Sequence, residues 1–288
     1  MSNPEIILSI ITVNKDNAEG LNKTLKSIDN QIDKRFEYIV IDAASKDDSV
    51  SLLEKSGQMI DQWVSESDRG IYDGMNKGIA KASGKYLLFL NSGDILYESI
   101  TTQRFLTGNY QEDLIYGDLI FRSETEKGKL SDVCHNYPKD LNFSFFYTSS
   151  LGHPSTFIKK SLLVNSGGYS ANLKIVSDWE FFAREICLNK ATFKKIDGPI
   201  AIFYTDGISS QKYYQNVISE ERDHVLENVF PSFKDDYKLM ELEKRKFHQI
   251  NRYLGPEIYV VANSSGVRVI LKHIVRAMAL IIKLKAKV

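Results

Sequence analysis

The chain has 288 residues, of which 43% are hydrophobic and 26% charged, with six prolines. That suits one sizeable α/β domain with an appendage, or two modest domains, and excludes collagen-like, low-complexity and disulfide-stapled miniprotein architectures. Thirty-seven basic residues balance thirty-seven acidic ones, so the molecule as a whole has no electrostatic reason to seek nucleic acid. Cys134 and Cys187 form neither a disulfide framework nor a C-x-x-C metal spacing, and a reducing compartment is expected. Residues 1–14 lack the basic region and cleavage site of a signal peptide, and no apolar run reaches the roughly 20 residues that span a bilayer. A cytoplasmic protein, able to touch a membrane at its surface, is expected.

The first run, Glu5 to Val13 (EIILSIITV), is short, β-branched and almost continuously apolar, the pattern of a strand covered on both faces in a parallel sheet. Asn14, Asp16 and Asn17 offer caps for a helix with Leu21, Leu25 and Ile28 on one face, and a second buried-type strand follows at Phe36 to Ile41. The result is a βαβ unit. Asp42 stands at the C-terminal end of the second strand, where open α/β sheets bind ligands, and the polar stretch Ser45 to Ser49 leads into a helix through Val50 to Leu53.

A short strand is expected at Gln62 to Ser65, then a helix with Ile71, Met75, Ile79 and Ala82 on its face and Gly84 as its C′ residue. Tyr86 to Leu90 reads as a central strand that ends in Asn91-Ser92-Gly93-Asp94. Further strands are expected at Leu114 to Phe121 and Thr156 to Ile158, separated by a mixed-charge loop at Glu124 to Lys129 and an aromatic stretch at Phe143 to Tyr147. Ser177 to Leu188 is helical, with Trp179, Phe182, Ala183 and Ile186 on one side, and Thr192 to Tyr204 reads as a strand pair broken at Gly198-Pro199. After Gln211 the chain is charge-rich helix, followed from Ile258 by a tail with six Lys or Arg and no acidic residue.

Asp42, Asp94 and Asp178 fall at strand ends or at the head of a helix. A nucleotide-sugar site uses such a set: one carboxylate for a base or ribose, one for a divalent cation, one to deprotonate an acceptor hydroxyl. Each aspartate taken alone also reads as a cap or turn residue. Spacing leaves both readings open.

Four segments in order resemble the family 2 glycosyltransferases of the GT-A fold. SIITVNKDNAEGLNKTLKSI is similar to that family's first strand and helix, and YIVIDAASKDDS to its strand ending in Asp. SESDRGIYDGMNKGIAKASGKYLLFLNSGD resembles its donor-site segment ending in the metal motif, and SDWEFFAR its later acidic helix. The resemblance implies an α/β nucleotide-sugar-binding domain over 1–210, a Rossmann-like, mostly parallel sheet flanked by helices, with a helical C-terminal extension over 211–288. It implies an inverting transfer from a nucleotide-diphosphate sugar, a UDP-sugar first, to a hydroxyl of a growing glycan or lipid-linked saccharide.

Carried over residue by residue, Thr12 and Asn14 border the nucleotide, Asp42 contacts the base or ribose, and Ser45 and Asp47 shape that loop. Asp68 lines the donor pocket, and Arg69 either faces the diphosphate or is a surface charge. Asp178 is the implied base and Asp94 the ligand of Mg2+ or Mn2+, while His153 lies near the donor phosphates or the acceptor and could join the metal shell. Trp179 either stacks on an acceptor sugar or belongs to the core, and Gly207 to Ser210 resembles a loop closing over the diphosphate.

Two features depart from that pattern or stand outside it. The family commonly carries an acidic D-x-D-D cluster where this chain has Asn91-Ser92-Gly93-Asp94, so one carboxylate must serve with phosphate and water oxygens. A nucleotidyltransferase or a dinucleotide-binding oxidoreductase would need a glycine-rich phosphate loop in place of VNKDNAEG, whereas a binding-only relative lacking turnover is compatible with the missing carboxylates. In the tail, residues 266–288 place Val267, Ile270, Leu271, Ile274, Val275, Met278 and Ile282 at helical spacing among basic residues. Such a helix suits an anionic membrane surface, or packing on the catalytic domain or on a second subunit of a homo-oligomer.

Overall fold

The apolar runs at the start of the chain form strands because nothing in them can face water. In the computed structural model, which describes residues 5–124, 130–205, 214–254, 266 and 272–277, every residue of β1 (Leu8–Asn14) and β2 (Glu37–Asp42) is buried. The two pair in parallel with Ile11 opposite Ile39; β3 (Gln62–Ser65) adds to β2 and β4 (Tyr86–Phe89) to β1, again in parallel. The crossovers are α1 (Ala18–Asp29), α2 (Ser49–Lys55) and α3 (Ile71–Lys81). α1 buries Leu21, Leu25 and Ile28 and α3 buries Tyr72, Met75 and Ile79, as the helical spacing requires.

Past β4 the sheet changes sense. The later strands are β5 (Ile95–Leu96), β6 (Leu114–Glu124), β7 (Leu130–His135), β8 (Thr156–Lys159) and β9 (Phe193–Tyr204), and the order is β3-β2-β1-β4-β8-β6-β9-β5, with β7 on β6. β8 runs antiparallel to both β4 and β6, while β9 is parallel to β6. The helices α4 (Thr101–Leu106), α5 (Phe143–Thr148), α6 (Lys160–Asn165) and α7 (Ser177–Cys187) lie between these strands in the chain. α7 is fastened to the parallel half by edge-to-face rings: Phe89 of β4 meets Tyr169, and Tyr169 meets Phe181, each pair at 5.4 Å. α8 (Gln215–Asn228) and α9 (Pro231–Leu254) follow, and the chain divides into two compact units, Met1–Phe230 and Pro231–Val288.

Three elements differ from the sequence reading. β7 was not expected, because five of its six residues are exposed and an edge strand of that kind shows no alternation of apolar and polar side chains. The stretch expected as a broken strand pair is one strand, since β9 stays on β6 through a register shift between Tyr116 and Asp118 while Gly198 takes φ 77°. Gly84 is not a left-handed helix cap: α3 ends at Ala82 in an extended conformation, and Gly84 is absent from the positive-φ positions. The expected closing loop Gly207 to Ser210 lies outside the described residues, as does the tail apart from residue 266 and residues 272–277. No helix among the described residues is long and apolar enough to cross a membrane.

Gly84 is required for a different reason. A Cβ there would stand 2.5 Å from the Ser9 backbone nitrogen and 2.7 Å from the Leu8 carbonyl carbon, both in β1, where neither can yield. Gly84→Ala should therefore lower stability by about 1–3 kcal/mol, the usual cost of overpacking, seen as a lower denaturant midpoint with an unchanged m-value.

Candidate active site

The loops that leave β1 and β2 are bound to each other. Asn14 Nδ2 donates to Asp42 Oδ1 at 2.7 Å, the backbone N–H of Asp16 donates to Ser45 Oγ at 2.8 Å, and Asp16 Oδ1 accepts the Lys46 N–H at 2.7 Å. Asp47 Oδ2 accepts the Ala18 N–H at 2.7 Å, satisfying an open donor at the start of α1. Asp16 and Ala44 sit at φ 46° and 53°, a region L-residues seldom occupy, one in each of the two latched loops. Asp42 is the centre of this latch. It also accepts the Ser45 hydroxyl at 2.5 Å, the Ser45 N–H at 2.9 Å and the Ser65 hydroxyl at 2.6 Å. Burial by itself would push its carboxyl up, but these donors from Ser45, Ser65 and Asn14 outweigh burial and hold it below the usual carboxylate range.

This arrangement buries part of the expected donor site. Asp42 and Thr12 are fully buried and Asn14 is 1% exposed. The Thr12 hydroxyl donates to the Leu90 carbonyl at 2.7 Å and lies 3.0 Å from the Tyr38 hydroxyl, so it joins neighbouring strands. Asp42 and Asn14 are buried at the C-terminal ends of β2 and β1. Ser45 and Asp68 are half-buried in loops at the C-terminal ends of the parallel strands, where Asp68 accepts the Gly70 N–H at 3.1 Å. Arg69 is exposed and pairs with Asp73 at 3.0 Å, a surface ion pair in this structure.

After β4 comes the turn Asn91-Ser92-Gly93-Asp94, closed by the Asp94 N–H on the Asn91 carbonyl at 2.9 Å. Asn17 caps α1 through Gly20 and reaches the Ser92 carbonyl at 3.2 Å, while the Thr24 hydroxyl donates to the Asp94 carbonyl at 2.8 Å. Gly93 takes φ 107°, which excludes an unstrained carboxylate-bearing residue at that position and accounts physically for one departure from the acidic cluster. The other, Asn91, has a contact that sequence reasoning did not foresee: its Nδ2 donates to His153 Nε2 at 2.9 Å. His153 Nδ1 then carries the ring proton and donates to Asp178 Oδ2 at 3.0 Å.

Asp178 lies in the first turn of α7, where the helix dipole favours a carboxylate. Its Oδ1 accepts the Trp179 N–H at 2.9 Å and the Tyr72 hydroxyl at 2.9 Å, and its side chain remains 18% exposed. Both ring nitrogens of His153 are thus engaged, which leaves neither for a metal shell in this arrangement. Trp179 is 3% exposed; its Nε1 donates to the Phe146 carbonyl at 2.7 Å and Arg222 lies 4.3 Å from its ring centroid. The stacking surface expected for an acceptor sugar is therefore already covered, and Trp179 is a core residue next to Asp178. Tyr72 was missed as a site residue. It shares the buried face of Met75 and Ile79 at i+3 and i+7, and a buried tyrosine needs a partner for its hydroxyl, which was the available signal.

No group of three or more His, Cys, Asp or Glu among the described residues could hold a metal ion. The turn after β4 supplies the Asp94 carboxylate, 5% exposed, and Asn91 Oδ1, buried and without a hydrogen-bond partner. These oxygens fit a hard cation whose remaining ligands are phosphate and water, and do not fit an all-protein metal cage. The buried latch at Asp42 has a measurable signature. A carboxyl held low in the folded state stabilises the fold above its unfolded value of about 3.9, and that contribution fades as pH falls through the lower folded value. Asp42→Asn should lower the denaturant midpoint at pH 7, and the gap to wild type should narrow below about pH 4.

Comparison with known proteins bears on the family and the fold. The profile of glycosyl transferase family 2 matches residues 9–131. An uncharacterized glycosyltransferase of Mycobacterium tuberculosis is 30% identical over 223 residues, covering 75% of this chain and 81% of that protein. A PGL/p-HBAD biosynthesis glycosyltransferase of the same species is 29% identical over 185 residues, 62% of this chain and 69% of its own. The GalNAc(5)-diNAcBac-PP-undecaprenol beta-1,3-glucosyltransferase of Campylobacter jejuni is 29% identical over 167 residues, 55% and 53% of the two chains. Among solved structures, S. aureus TarS 1-349 superposes with TM-score 0.55 at 19% identity over 69% of this chain, which spans 60% of that one, and it has also been solved with UDP-GlcNAc. The mannosyltransferase PcManGT of Pyrobaculum calidifontis, solved with GDP-Man and Mn2+, matches with TM-score 0.50 at 14% identity, over 70% of this chain and 60% of its own. The structural matches establish the GT-A fold, and with a relative at 30% identity across four fifths of its length, the chain belongs to glycosyltransferase family 2.

Proposed function

We propose that this enzyme is an inverting glycosyltransferase that moves a hexosyl or N-acetylhexosaminyl group from a nucleotide-diphosphate sugar to a hydroxyl of a glycan or lipid-linked saccharide. The observation that carries the reading is the connection between the turn after β4 and the head of α7. Two hydrogen bonds, Asn91 to His153 and His153 to Asp178, join the loop bearing Asp94 to a partly exposed carboxylate. Asp178 Oδ2 accepts one hydrogen bond among the described residues, from His153, and has a lone pair left for the proton of an acceptor hydroxyl. The acceptor oxygen, its proton passing to Asp178, attacks the anomeric carbon from the face opposite the nucleotide as the bond from that carbon to the diphosphate oxygen breaks, and this single displacement inverts the centre. Ser45 and Asp68 line the donor side, with Arg69 free to exchange Asp73 for a phosphate. A divalent cation, Mg2+ or Mn2+, held by Asp94 would neutralise the departing diphosphate.

A UDP-sugar is the first donor to try, supported by the TarS complex with UDP-GlcNAc, with GDP-mannose second on the strength of PcManGT. The Campylobacter relative, whose name places its acceptor on PP-undecaprenol, supports a lipid-linked saccharide. On this reading the enzyme works at the cytoplasmic membrane face, with the basic residues of 266–288 attracted to anionic lipid.

The test is transfer from UDP- and GDP-sugars with and without Mn2+, read as product with its anomeric configuration. Asp178→Asn should still bind donor and lose about two to four orders of magnitude in rate. Retained transfer in that variant, or a product of retained configuration, removes Asp178 from the role of base. Asp94→Asn should stay folded yet lose most turnover together with the Mn2+-dependent part of its thermal stabilisation by UDP; full activity there would move the cation elsewhere.

A further inference from the structure

Helix α8 lies beyond both the matched profile and the domain expected from the sequence, yet it is bound to the segment that carries the base. Glu221 of α8 accepts three consecutive backbone N–H groups, from Lys174 at 2.6 Å, Ile175 at 3.0 Å and Val176 at 3.3 Å. These peptides lead into α7, and a carboxylate there satisfies open donors and complements the positive end of the helix. Holding the three peptides also holds the Ile175 carbonyl. The Tyr72 hydroxyl stands 2.5 Å from that carbonyl and 2.9 Å from Asp178 Oδ1. A phenol has one proton to donate, so the two acceptors must share it.

We propose that Tyr72 and Glu221 are positioning residues for Asp178, with Glu221 fixing the Ile175 carbonyl and Tyr72 passing its hydrogen bond between that carbonyl and the base as the charge on the base changes. The inference rests on the reading of Asp178 as base. While Asp178 is ionised, the Tyr72 proton points to Oδ1. When the acceptor O–H bond breaks and a new O–H bond forms at Oδ2, the Tyr72 proton turns to the nearer Ile175 carbonyl. No proton leaves Tyr72, and the carboxyl keeps its orientation through the Trp179 N–H and His153. Tyr72 stays a donor throughout the working range, because burial and then the charge of Asp178 raise its phenol well above the usual value. His153 also faces Asp178, at 3.0 Å, and the charge of Asp178 adds to burial in raising the phenols of Tyr169 and Tyr137.

The experiment uses the full chain with UDP-sugar, Mn2+ and acceptor. Tyr72→Phe removes one oxygen and preserves the ring packing against Tyr169. It should lower kcat by about tenfold or more, leave the donor KM within about twofold, and move the acid limb of the kcat profile to higher pH, since a carboxylate that loses a donor becomes more basic. Glu221→Gln should lower kcat in the same direction by a smaller factor, because an amide can accept with one oxygen only. The Tyr72→Phe/Glu221→Gln double variant should lose less than the product of the two single losses, as residues acting in one chain do. An unchanged acid limb and kcat in Tyr72→Phe overturns the inference, and so do strictly multiplicative losses. Should Asp178→Asn retain transfer, the base assignment itself fails, a result distinguishable from an inert Tyr72→Phe beside an inactive Asp178→Asn.

Discussion

Parallel pairing of β1 with β2 and β4 is the constraint on which the site depends. Parallel strands end together, so the loops after Asn14, Asp42 and Phe89 emerge on one edge of the sheet, and the helices that connect them cover its faces. Those covered faces are why β1 and β2 have no exposed residue. With the sheet interior sealed, polar side chains at the strand ends must either find partners within the protein or face the crevice. Thr12, Asp42 and the amide nitrogen of Asn14 do the first, while Asp178, brought in from α7, keeps part of its carboxylate exposed.

Burial and partner number separate the carboxylates by role. Asp42 accepts from Asn14, from the hydroxyl and N–H of Ser45, and from Ser65, and none of it reaches solvent. At the opposite end of the same strand, Glu37 accepts from Ser9, Gln62 and Ser83 and is 5% exposed. Groups enclosed in this way stabilise a geometry and have no capacity left for substrate. Among the described residues Asp178 has fewer donors than Asp42, a residual opening to solvent, and neighbours that fix its orientation while leaving a lone pair open.

The turn after β4 shows how backbone geometry limits side-chain chemistry. Its left-handed glycine and its hydrogen bonds to α1 leave Asp94 as the one acidic residue on it, and Asn91 is committed to His153. A neutral amide at that position donates to an imidazole, which a carboxylate could not do. The exchange therefore gives up a charge on the turn after β4 and gains a hydrogen-bonded path to Asp178.

The strand and helix order through β4, the apolar faces of α1 and α3, and the acidic positions 42, 94 and 178 were legible in the sequence, because period, capping residues and local motif are properties of neighbouring residues. The edge strand β7 was not, since its exposed side chains carry no pattern, and neither was the continuity of β9, which depends on its partner β6 accepting a register shift. Among site residues, the motifs located Asp178 and His153, but only folding brought them together and connected them to Asn91. Folding also decided that Thr12, Asn14 and Asp42 are buried at the strand ends and that Trp179 is buried against Arg222, because burial and long-range hydrogen bonds are set by which segments meet. A helix such as α8, carrying Glu221 and Arg222 from far along the chain, leaves no local trace of the contacts it will make, and those contacts exist only once the sheet has placed α7 beside it.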